Sequence, residues 1–219
     1  MFDAILKYHF MHRLLLYCFV YLHNFSYKVI SKLAIVENNG SHPKHRILGY
    51  HDFFKRYIDP MDKVIDIGCG TGENAFDIAE KTQKVIGIDI NQKNIIYAKK
   101  HFVRGNLEFI ASDVTTCQFG QRFDKIVFSN VLEHIENRID FLKKLHAVSD
   151  TILLRVPMLD RDWIVLYKKE HGLEYRLDKT HYIEYTLPIL RNELEKSGWN
   201  IQEYSIQFGE FWGVIKTSI

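Results

Sequence analysis

The most informative segment of this 219-residue chain reads Val64-Ile65-Asp66-Ile67-Gly68-Cys69-Gly70-Thr71-Gly72. Apolar β-branched residues surround one acid, and glycine then occupies every second position. This pattern predicts a strand, a tight turn and a helix, and the three missing side chains let the turn approach a ligand closely. The run 85–89 is a second strand-like run that ends in an acid. Together the two units predict a mononucleotide-type site at the carboxyl edge of a parallel sheet.

Strand-like and helix-like runs alternate along the middle of the chain. The predicted strands are 63–67, 85–89, 107–111, 125–128 and 151–156, and the predicted helices between them are 73–81, 92–102 and 135–147. A helix at 187–197 is followed by strand-like runs on both sides of Phe208-Gly209-Glu210, which predicts an antiparallel hairpin. We therefore expect an α/β, Rossmann-like, doubly wound sheet of about seven strands, mostly parallel and ending in that hairpin.

The N-terminal part does not follow this alternation and predicts a helical extension, 1–58, ahead of a main domain, 59–219. Within the main domain we expect the aromatic and charged insert 158–186 to form a lid over the acceptor. Residues 2–36 are apolar and aromatic at nearly helical spacing, with a stripe too wide for one buried face. Packing on its own domain, a peripheral position in a membrane interface, and contact within a homodimer would each account for this stripe. Its most apolar run, 14–22, is too short to span a bilayer.

A second helix is predicted over 42–54, after the turn-forming run that ends the extension's first helix. Its spacing places Ile47, Tyr50 and Phe54 on a core-facing side. Lys44 and its neighbours make the first turn basic, which suits either a solvated turn or a helix that closes over a ligand.

Composition and charge argue against several classes of function. The chain has 29 Lys+Arg against 27 Asp+Glu, and no run of Lys and Arg exceeds two, so nothing predicts a nucleic-acid partner. Cys18, Cys69 and Cys117 form no CxxC pair. An odd number of separated cysteines predicts a reducing, cytoplasmic location rather than a disulfide framework.

The spacing of the glycines argues against a dinucleotide. The dinucleotide fingerprint is G-x-G-x-x-G, but here Glu73 occupies the place of the third glycine. A carboxylate at that helix N-terminus would repel a pyrophosphate. No Gly-Lys-Ser/Thr follows, which excludes a P-loop. The residues therefore favour a nucleoside without phosphate, which could be cationic.

That description fits S-adenosylmethionine, and the chain resembles the class I S-adenosylmethionine-dependent methyltransferases. It is most similar to the small-molecule group that includes the ubiquinone and menaquinone methyltransferases. Four motifs in the family's order carry the resemblance, at 64–72, 85–90, 109–113 and 123–134. With the C-terminal hairpin, the resemblance covers 60–219, and it implies S-adenosyl-L-methionine as the cofactor of a transferase.

The resemblance implies cofactor contacts along the carboxyl edge of the first four strands. The residues to which it assigns them are Asp66, Gly68, Cys69, Gly70, Asp89, Ile90, Ser112, Asp113, Val114 and Asn130. Asp66 would reach the amino acid end, and Asp89 would accept both ribose hydroxyls. Ile90 would pack on adenine, Asp113 would accept its amino group, and Asn130 would lie under the methionine part.

The motif around Glu133-His134 bears on metal dependence. In some quinone-pathway relatives an acid three positions earlier completes a metal-binding E-x-x-E-H pattern. Asn130 occupies that position here, so we predict no metal.

Methyl transfer to a hydroxyl needs alignment with the activated donor and removal of a proton. The candidate catalytic residues are His181, His134 and Asp178, of which Asp178 and His181 could form an oriented pair. Thr180 and Thr186 could instead be plain helix caps. The candidate acceptor-binding residues are His45, Arg46, Tyr50, His51 and Arg155. Arg155 could equally form a surface ion pair.

The acceptor is predicted from a second resemblance. The segments 43–46, 50–54 and 176–181 look similar to methyltransferases associated with bacterial and archaeal glycan assembly. A sugar hydroxyl, or another small-molecule hydroxyl, is therefore the leading acceptor. A quinone-like or lipid acceptor is one alternative, and a non-catalytic cofactor-binding partner protein is another.

Overall fold

The structure, a computed structural model, describes residues 2–40 and 42–218, without the side chains of 2–7, 9 and 10. The first part of the predicted apolar stripe therefore lies outside the described side chains. The chain divides into two compact units, Met1–Gly49 and Tyr50–Ile219. This boundary precedes the one expected at residue 58.

The N-terminal unit contains one long helix and one short helix, α1 (Phe2–Glu37) and α2 (Lys44–Leu48). Helix α2 ends because Gly49 adopts a left-handed conformation with φ of 60°. The single helix expected over 42–54 is therefore wrong, and Ile47, expected in the core, is 60% exposed. Among the described residues, no helix is long and apolar enough to cross a membrane.

The second unit begins with α3 (Tyr50–Arg56) and then alternates strands and helices. Its further elements are β1 (Lys63–Ile67), α4 (Glu73–Ala79), β2 (Lys84–Asp89), α5 (Gln92–His101), β3 (Leu107–Ala111), β4 (Lys125–Ser129), α6 (Arg138–Leu145), β5 (Thr151–Pro157), α7 (Trp163–Glu170), α8 (Leu187–Lys196), β6 (Trp199–Gln207) and β7 (Glu210–Thr217). Single 3-10 turns lie at Leu132–His134 and Leu159–Arg161.

These seven strands form one sheet in the order β3-β2-β1-β4-β5-β7-β6. The first five pair in parallel, whereas β7 pairs antiparallel with both β5 and β6. This confirms the predicted Rossmann-like sheet with its antiparallel C-terminal hairpin. Strands β2 and β3 lie on one side of β1, and β4 and β5 lie on its other side, so the strand order changes direction between β1 and β4. The carboxyl ends of β1 and β4 therefore border the same crevice.

Burial explains why the elements pack as they do. Strands β1 and β4 are continuous buried runs, as expected for a sheet covered on both faces. Phe54 is fully buried on α3, which contacts α4, so α3 belongs with the second unit. The hairpin turns at Phe208 and Gly209, with φ of 53° and 71°. A Cβ on Gly209 would lie 2.2 Å from the Cβ of Arg161, so this glycine is required by space as well as by conformation.

The insert after β5 is anchored to the core at its two ends. The amide of Leu159 donates to the carbonyl of Tyr185 (2.6 Å), and Tyr185 is fully buried. Arg161 donates to the carboxylate of Glu184 and to the carbonyl of Tyr175. Whether the insert acts as a lid stays a prediction.

Candidate functional site

The glycine turn after β1 has the backbone of a ligand-binding loop. Gly68, Gly70 and Gly72 all have positive φ, at 71°, 56° and 94°. The amides of Gly68 and Cys69 donate to the carbonyl of Ile88 (2.7 and 3.0 Å), which holds the turn against β2. A Cβ on Gly68 would lie 2.3 Å from Val131, whereas a Cβ on Gly70 would meet nothing within 4 Å. Gly70 therefore borders open space, where a ligand can approach the backbone.

Several buried polar atoms at this edge have no hydrogen-bond partner among the described residues, including Oδ1 and Nδ2 of Asn74 at the start of α4. Asp66 is 2% exposed and its Oδ2 is unpaired, and Asn130 Oδ1 is likewise unpaired. Burial raises the pKa of Asp66 to about 8; the side-chain amide of Asn74 acts against this rise, and the charge of Asp89 acts in the same direction as burial. Asn130 has a φ of 55°, an uncommon conformation that often marks a functional site. Unpaired buried groups are rare, so these atoms fit a polar ligand such as the amino acid end of S-adenosylmethionine.

Asp89 lies at the end of β2, beside the glycine turn, as predicted. Its Oδ2 accepts the amide of Gly70 (2.9 Å) and its Oδ1 accepts the amide of Asn91 (2.7 Å). A carboxylate oxygen has two lone pairs, so Oδ2 can still accept one ribose hydroxyl. The side-chain amide of Asn94 also donates to Oδ1, at 3.4 Å, so Oδ1 can accept the second hydroxyl only in place of Asn94. The position fits the role that the resemblance implies, and the role itself stays a prediction.

The residues expected around adenine lie at the ends of β2 and β3. Ile90 is 72% exposed and available to a ring, while Ser112 and Val114 are half-buried. Asp113 Oδ1 accepts the hydroxyl and the amide of Thr115 (2.7 and 2.9 Å). These hydrogen bonds hold the pKa of Asp113 below its usual range, so the side chain is an ionised acceptor at neutral pH.

A hydrogen-bonded chain joins His134, after β4, to the insert. His134 Nδ1 lies 2.9 Å from Thr180 Oγ1, and that hydroxyl donates to Asp178 Oδ1 (2.8 Å). Because the Thr180 proton points to Asp178, His134 Nδ1 must be the donor, which leaves Nε2 with a free lone pair. Burial lowers the pKa of His134, and the neighbouring His181 acts in the same direction. The half-buried imidazole is therefore neutral at pH 7 and can accept a proton.

The His181 ring does not pair with the Asp178 carboxylate, so the expected oriented pair is wrong; only the backbone amide of His181 donates to the carbonyl of Asp178 (3.2 Å). The ring is 5% exposed, and its Nδ1 lies 2.9 Å from Glu184 Oε1. Glu184 also accepts the amide of Leu177 (2.7 Å). In the irregular segment after α7, a three-residue separation brings His181 to Glu184 rather than to Asp178. The buried ring therefore lies within the insert's own scaffold, and its catalytic role stays a prediction.

Glu133 was not predicted as part of the site, yet it is the most unusual group there. It is fully buried, and neither carboxylate oxygen has a hydrogen-bond partner in the described part of the chain. Burial raises its pKa to about 8, and the charge of Glu184 acts in the same direction. His181 Nε2 lies 4.0 Å from Glu133 Oε1.

The same region contains a group of potential metal ligands. Glu133, His134 and His181 each offer one ligand atom, and these atoms lie within 4.8 Å of one another. Carboxylate and imidazole are ligands that zinc accepts. The sequence did not reveal this group, because His181 is far from the Glu133-His134 motif along the chain. The expectation of no metal stays a prediction.

Arg155 lies inside the second unit and not at its surface. It is 4% exposed, and its Nε donates to Glu210 Oε2 (2.5 Å). Its NH1 donates to Ser129 Oγ (3.1 Å), and its guanidinium carbon lies 4.1 Å from the ring centroid of Tyr50. The alternative of a surface ion pair is therefore wrong. The sequence predicted Glu210 as part of the hairpin but not as the partner of Arg155, and no motif indicated that role.

The other predicted acceptor-binding residues divide between the two units. Tyr50 is 8% exposed, and burial raises the pKa of its hydroxyl. His51 Nδ1 lies 2.6 Å from Asp77 Oδ2, which joins α3 to α4. The hydrogen bond from His51 holds the pKa of Asp77 below its usual range. His45 and Arg46 belong to the N-terminal unit, and the acceptor-binding role of all four predicted residues stays a prediction.

Comparison with known proteins connects this site to a family. Residues 64–150 match a family described as a methyltransferase domain. The chain is 32% identical over 118 residues to a ubiquinone biosynthesis O-methyltransferase of Bradyrhizobium diazoefficiens. The aligned segment covers 52% of this chain and 47% of the relative. It is 29% identical over 160 residues to a mitochondrial ubiquinone biosynthesis O-methyltransferase of Schizosaccharomyces pombe, covering 64% and 56%. The aligned part thus spans about half the length of these curated relatives.

Solved structures with the same fold carry similar descriptions. An S-adenosylmethionine-dependent methyltransferase from Methanosarcina mazei matches with a TM-score of 0.62 and 20% identity, over 75% of this chain and 96% of that one. A further one, from Clostridium acetobutylicum, matches with a TM-score of 0.62 and 11% identity, over 89% and 100%. At these identities the likeness establishes the fold.

Proposed function

We propose that this chain, whose residues 64–150 match a methyltransferase domain, uses S-adenosylmethionine to methylate a hydroxyl oxygen of an aromatic, quinone-like acceptor. The curated relatives are named as ubiquinone biosynthesis O-methyltransferases, which supports an acceptor of this kind. The observation that carries the proposal is the hydrogen-bonded chain from His134 through Thr180 to Asp178.

The chain of hydrogen bonds suits His134 for the role of general base. The donated Nδ1 proton fixes the orientation of the ring and leaves Nε2 as the acceptor of a substrate proton. When Nε2 takes that proton, the new positive charge is stabilised by Asp178 through Thr180. Asp178 remains ionised because the amide and hydroxyl of Thr180 hold its pKa below the usual range.

The strength of this base favours an aromatic hydroxyl. A phenol has a pKa of about 10, as in tyrosine, so a neutral imidazole can remove its proton as the oxygen attacks. An aliphatic sugar hydroxyl is far less acidic and gains less from the same base. The sequence motifs made a sugar hydroxyl the leading acceptor, and it is now the second candidate. The segments that favour it are 43–46 and 176–181.

The remaining residues bind and align. Bound S-adenosylmethionine supplies a methyl group that is already activated by a positive sulfur. Asp66 and Asn130 would hold the amino acid end through their unpaired oxygens, and Asp89 would hold the ribose. Asp66 is buried and Asn130 and Asp89 are half-buried, and partial exclusion of water strengthens each polar contact. Alignment of two reactants in this way can supply most of the rate.

The test begins with the cofactor and proceeds to the acceptor. Calorimetry should show heat of binding with S-adenosylmethionine and none with NAD. Transfer of a labelled methyl group should be faster to a catechol than to a sugar. His134→Ala should lower kcat roughly 100-fold or more and leave the cofactor Kd nearly unchanged, because general bases contribute on this scale. With wild-type protein, kcat should rise with pH through the lowered pKa of His134.

His101→Ala is the matched control. His101 is an exposed histidine at the end of α5 whose Nδ1 bonds to the carbonyl of Tyr97 (2.9 Å). It should change neither kcat nor Kd. No heat with S-adenosylmethionine would rule out both methyl transfer and the third alternative, a non-catalytic cofactor-binding partner protein. Heat of binding without transfer to either acceptor would favour that third alternative. Faster transfer to the sugar would replace the acceptor while keeping the reaction.

A further inference from the structure

Helix α1 carries an exposed apolar stripe that the proposed reaction does not use. The residues of the stripe recur every three or four positions and are all exposed: Met11, Leu15, Cys18, Leu22, Phe25, Val29, Leu33 and Val36. The exposed fraction of their side chains reaches 76% at Val36 and is 63% at Leu33. Single exposed apolar residues are common, but a continuous row over seven turns marks an interaction surface.

The charges of α1 indicate what kind of surface it meets. Residues 4–36 contain four Lys or Arg and three His, but no Asp or Glu. Lys28 follows Phe25 by three residues and Lys32 precedes Val36 by four, so both lysines stem from the edge of the stripe. Both are exposed. Lysines in this position can bury their carbon stems beside the apolar row while their ammonium groups reach outward.

From this combination we infer that α1 docks on an anionic lipid surface, with the stripe in the acyl boundary and Lys28 and Lys32 at the headgroups. The helix lies on the surface, since it is not long and apolar enough to cross a bilayer. Tyr8 and Tyr21 are 69% and 75% exposed, and tyrosines of this kind suit the interface between water and lipid.

A second copy of this chain is a poorer occupant. Helices that pair through an apolar row normally set opposite charges beside it. Here the edge of the row offers Lys28 and Lys32 but no carboxylate between residues 4 and 36 on either copy. Lipid phosphates supply the missing negative charge, so the charge pattern favours the membrane.

The helix provides a matched pair of variants for a test. Phe25 and Tyr27 are adjacent aromatic residues of similar exposure, 56% and 59%. Two residues turn a helix by about 200°, so Tyr27 lies on the side away from the stripe. The full-length protein is mixed with vesicles of phosphatidylcholine alone, or of phosphatidylcholine with phosphatidylglycerol, and floated through a density gradient.

Wild-type protein should float with the anionic vesicles and remain at the bottom with the neutral ones. Phe25→Glu should weaken partition by roughly tenfold or more, the equivalent of one buried aromatic side chain, while Tyr27→Glu keeps it. Replacing Lys28 and Lys32 by Ala should cost roughly fivefold per residue on anionic vesicles. The lysine variant keeps the test valid if Phe25→Glu does not fold.

Wild-type protein that stays at the bottom with anionic vesicles overturns the inference, and so does an equal loss for Phe25→Glu and Tyr27→Glu. A dimer in sedimentation that Phe25→Glu dissociates, with no flotation, would assign the stripe to a second copy. None of these results depends on methyl transfer, so the inference and the proposed function can fail separately.

Discussion

Replacement of Glu133 by Gln should change how stability depends on pH. Burial raises the pKa of this carboxyl from 4.5 to about 8 in the folded protein. Between these values the folded wild-type chain keeps a proton that the unfolded chain releases. The free energy of unfolding should therefore fall as pH rises, by about 1.4 kcal/mol per pH unit from this one group. Gln cannot ionise, so Glu133→Gln removes that slope.

The measurement is urea unfolding followed by tryptophan fluorescence between pH 5 and pH 7.5. Over that window, the stability of Glu133→Gln relative to wild type should rise by on the order of 3 kcal/mol. Asp66, whose pKa is also raised to about 8, contributes equally to both proteins and cancels in the difference. Glu136→Gln, the same change at an exposed position, should run parallel to wild type. If Glu133→Gln also runs parallel, the carboxyl is ionised in the folded protein and the reasoning fails.

Two further predictions concern the buried ion pair of Arg155 with Glu210 and the absence of a metal requirement. Arg155→Met should lower the free energy of unfolding by about 3–5 kcal/mol, because it removes the cation that neutralises the buried carboxylate of Glu210, and urea unfolding measures this. The double variant Arg155→Met, Glu210→Gln should recover a large part of the lost free energy of unfolding. If it recovers none, the loss comes from packing and not from charge. Chelation with EDTA should leave methyl transfer unchanged, since Asn130 interrupts the metal-binding pattern. If EDTA instead abolishes activity and zinc restores it, Glu133, His134 and His181 bind a metal that the reaction needs.

The sheet and its cofactor edge could be predicted because their signals are local. Alternation of buried runs with amphipathic helices specifies a parallel sheet, and the glycines of 68–72 specify a turn that few other sequences can form. The placement of Asp89 and Asp113 was predictable, since Asp89 ends β2, Asp113 follows β3, and the carboxyl ends of parallel strands share one edge. Their roles toward the cofactor came from the resemblance and stay predictions. These inferences need no knowledge of which side chains meet across the fold.

The acceptor side was less predictable because its contacts are long-range or lie in irregular backbone. The sequence does not show that a helix ends at Gly49, because glycine also occurs inside helices. Only the φ of 60° shows that Gly49 ends α2. The pairing of His181 with Glu184 rather than Asp178 depends on the turn of a segment without regular structure. The ion pair from Arg155 to Glu210 joins residues 55 positions apart, and no spacing rule predicts it.

The position of β7 has a consequence for biosynthesis. This strand inserts between β5 and β6, although β6 and β7 are both translated after the other five strands. Until the ribosome releases the hairpin, β5 is an open edge with the apolar run Ile152-Leu153-Leu154, and Arg155 has no carboxylate at Glu210. Exposed apolar edges invite pairing with other chains. Nascent chains stalled before residue 210 should therefore need chaperone protection, whereas those that have emerged past β7 can close the sheet.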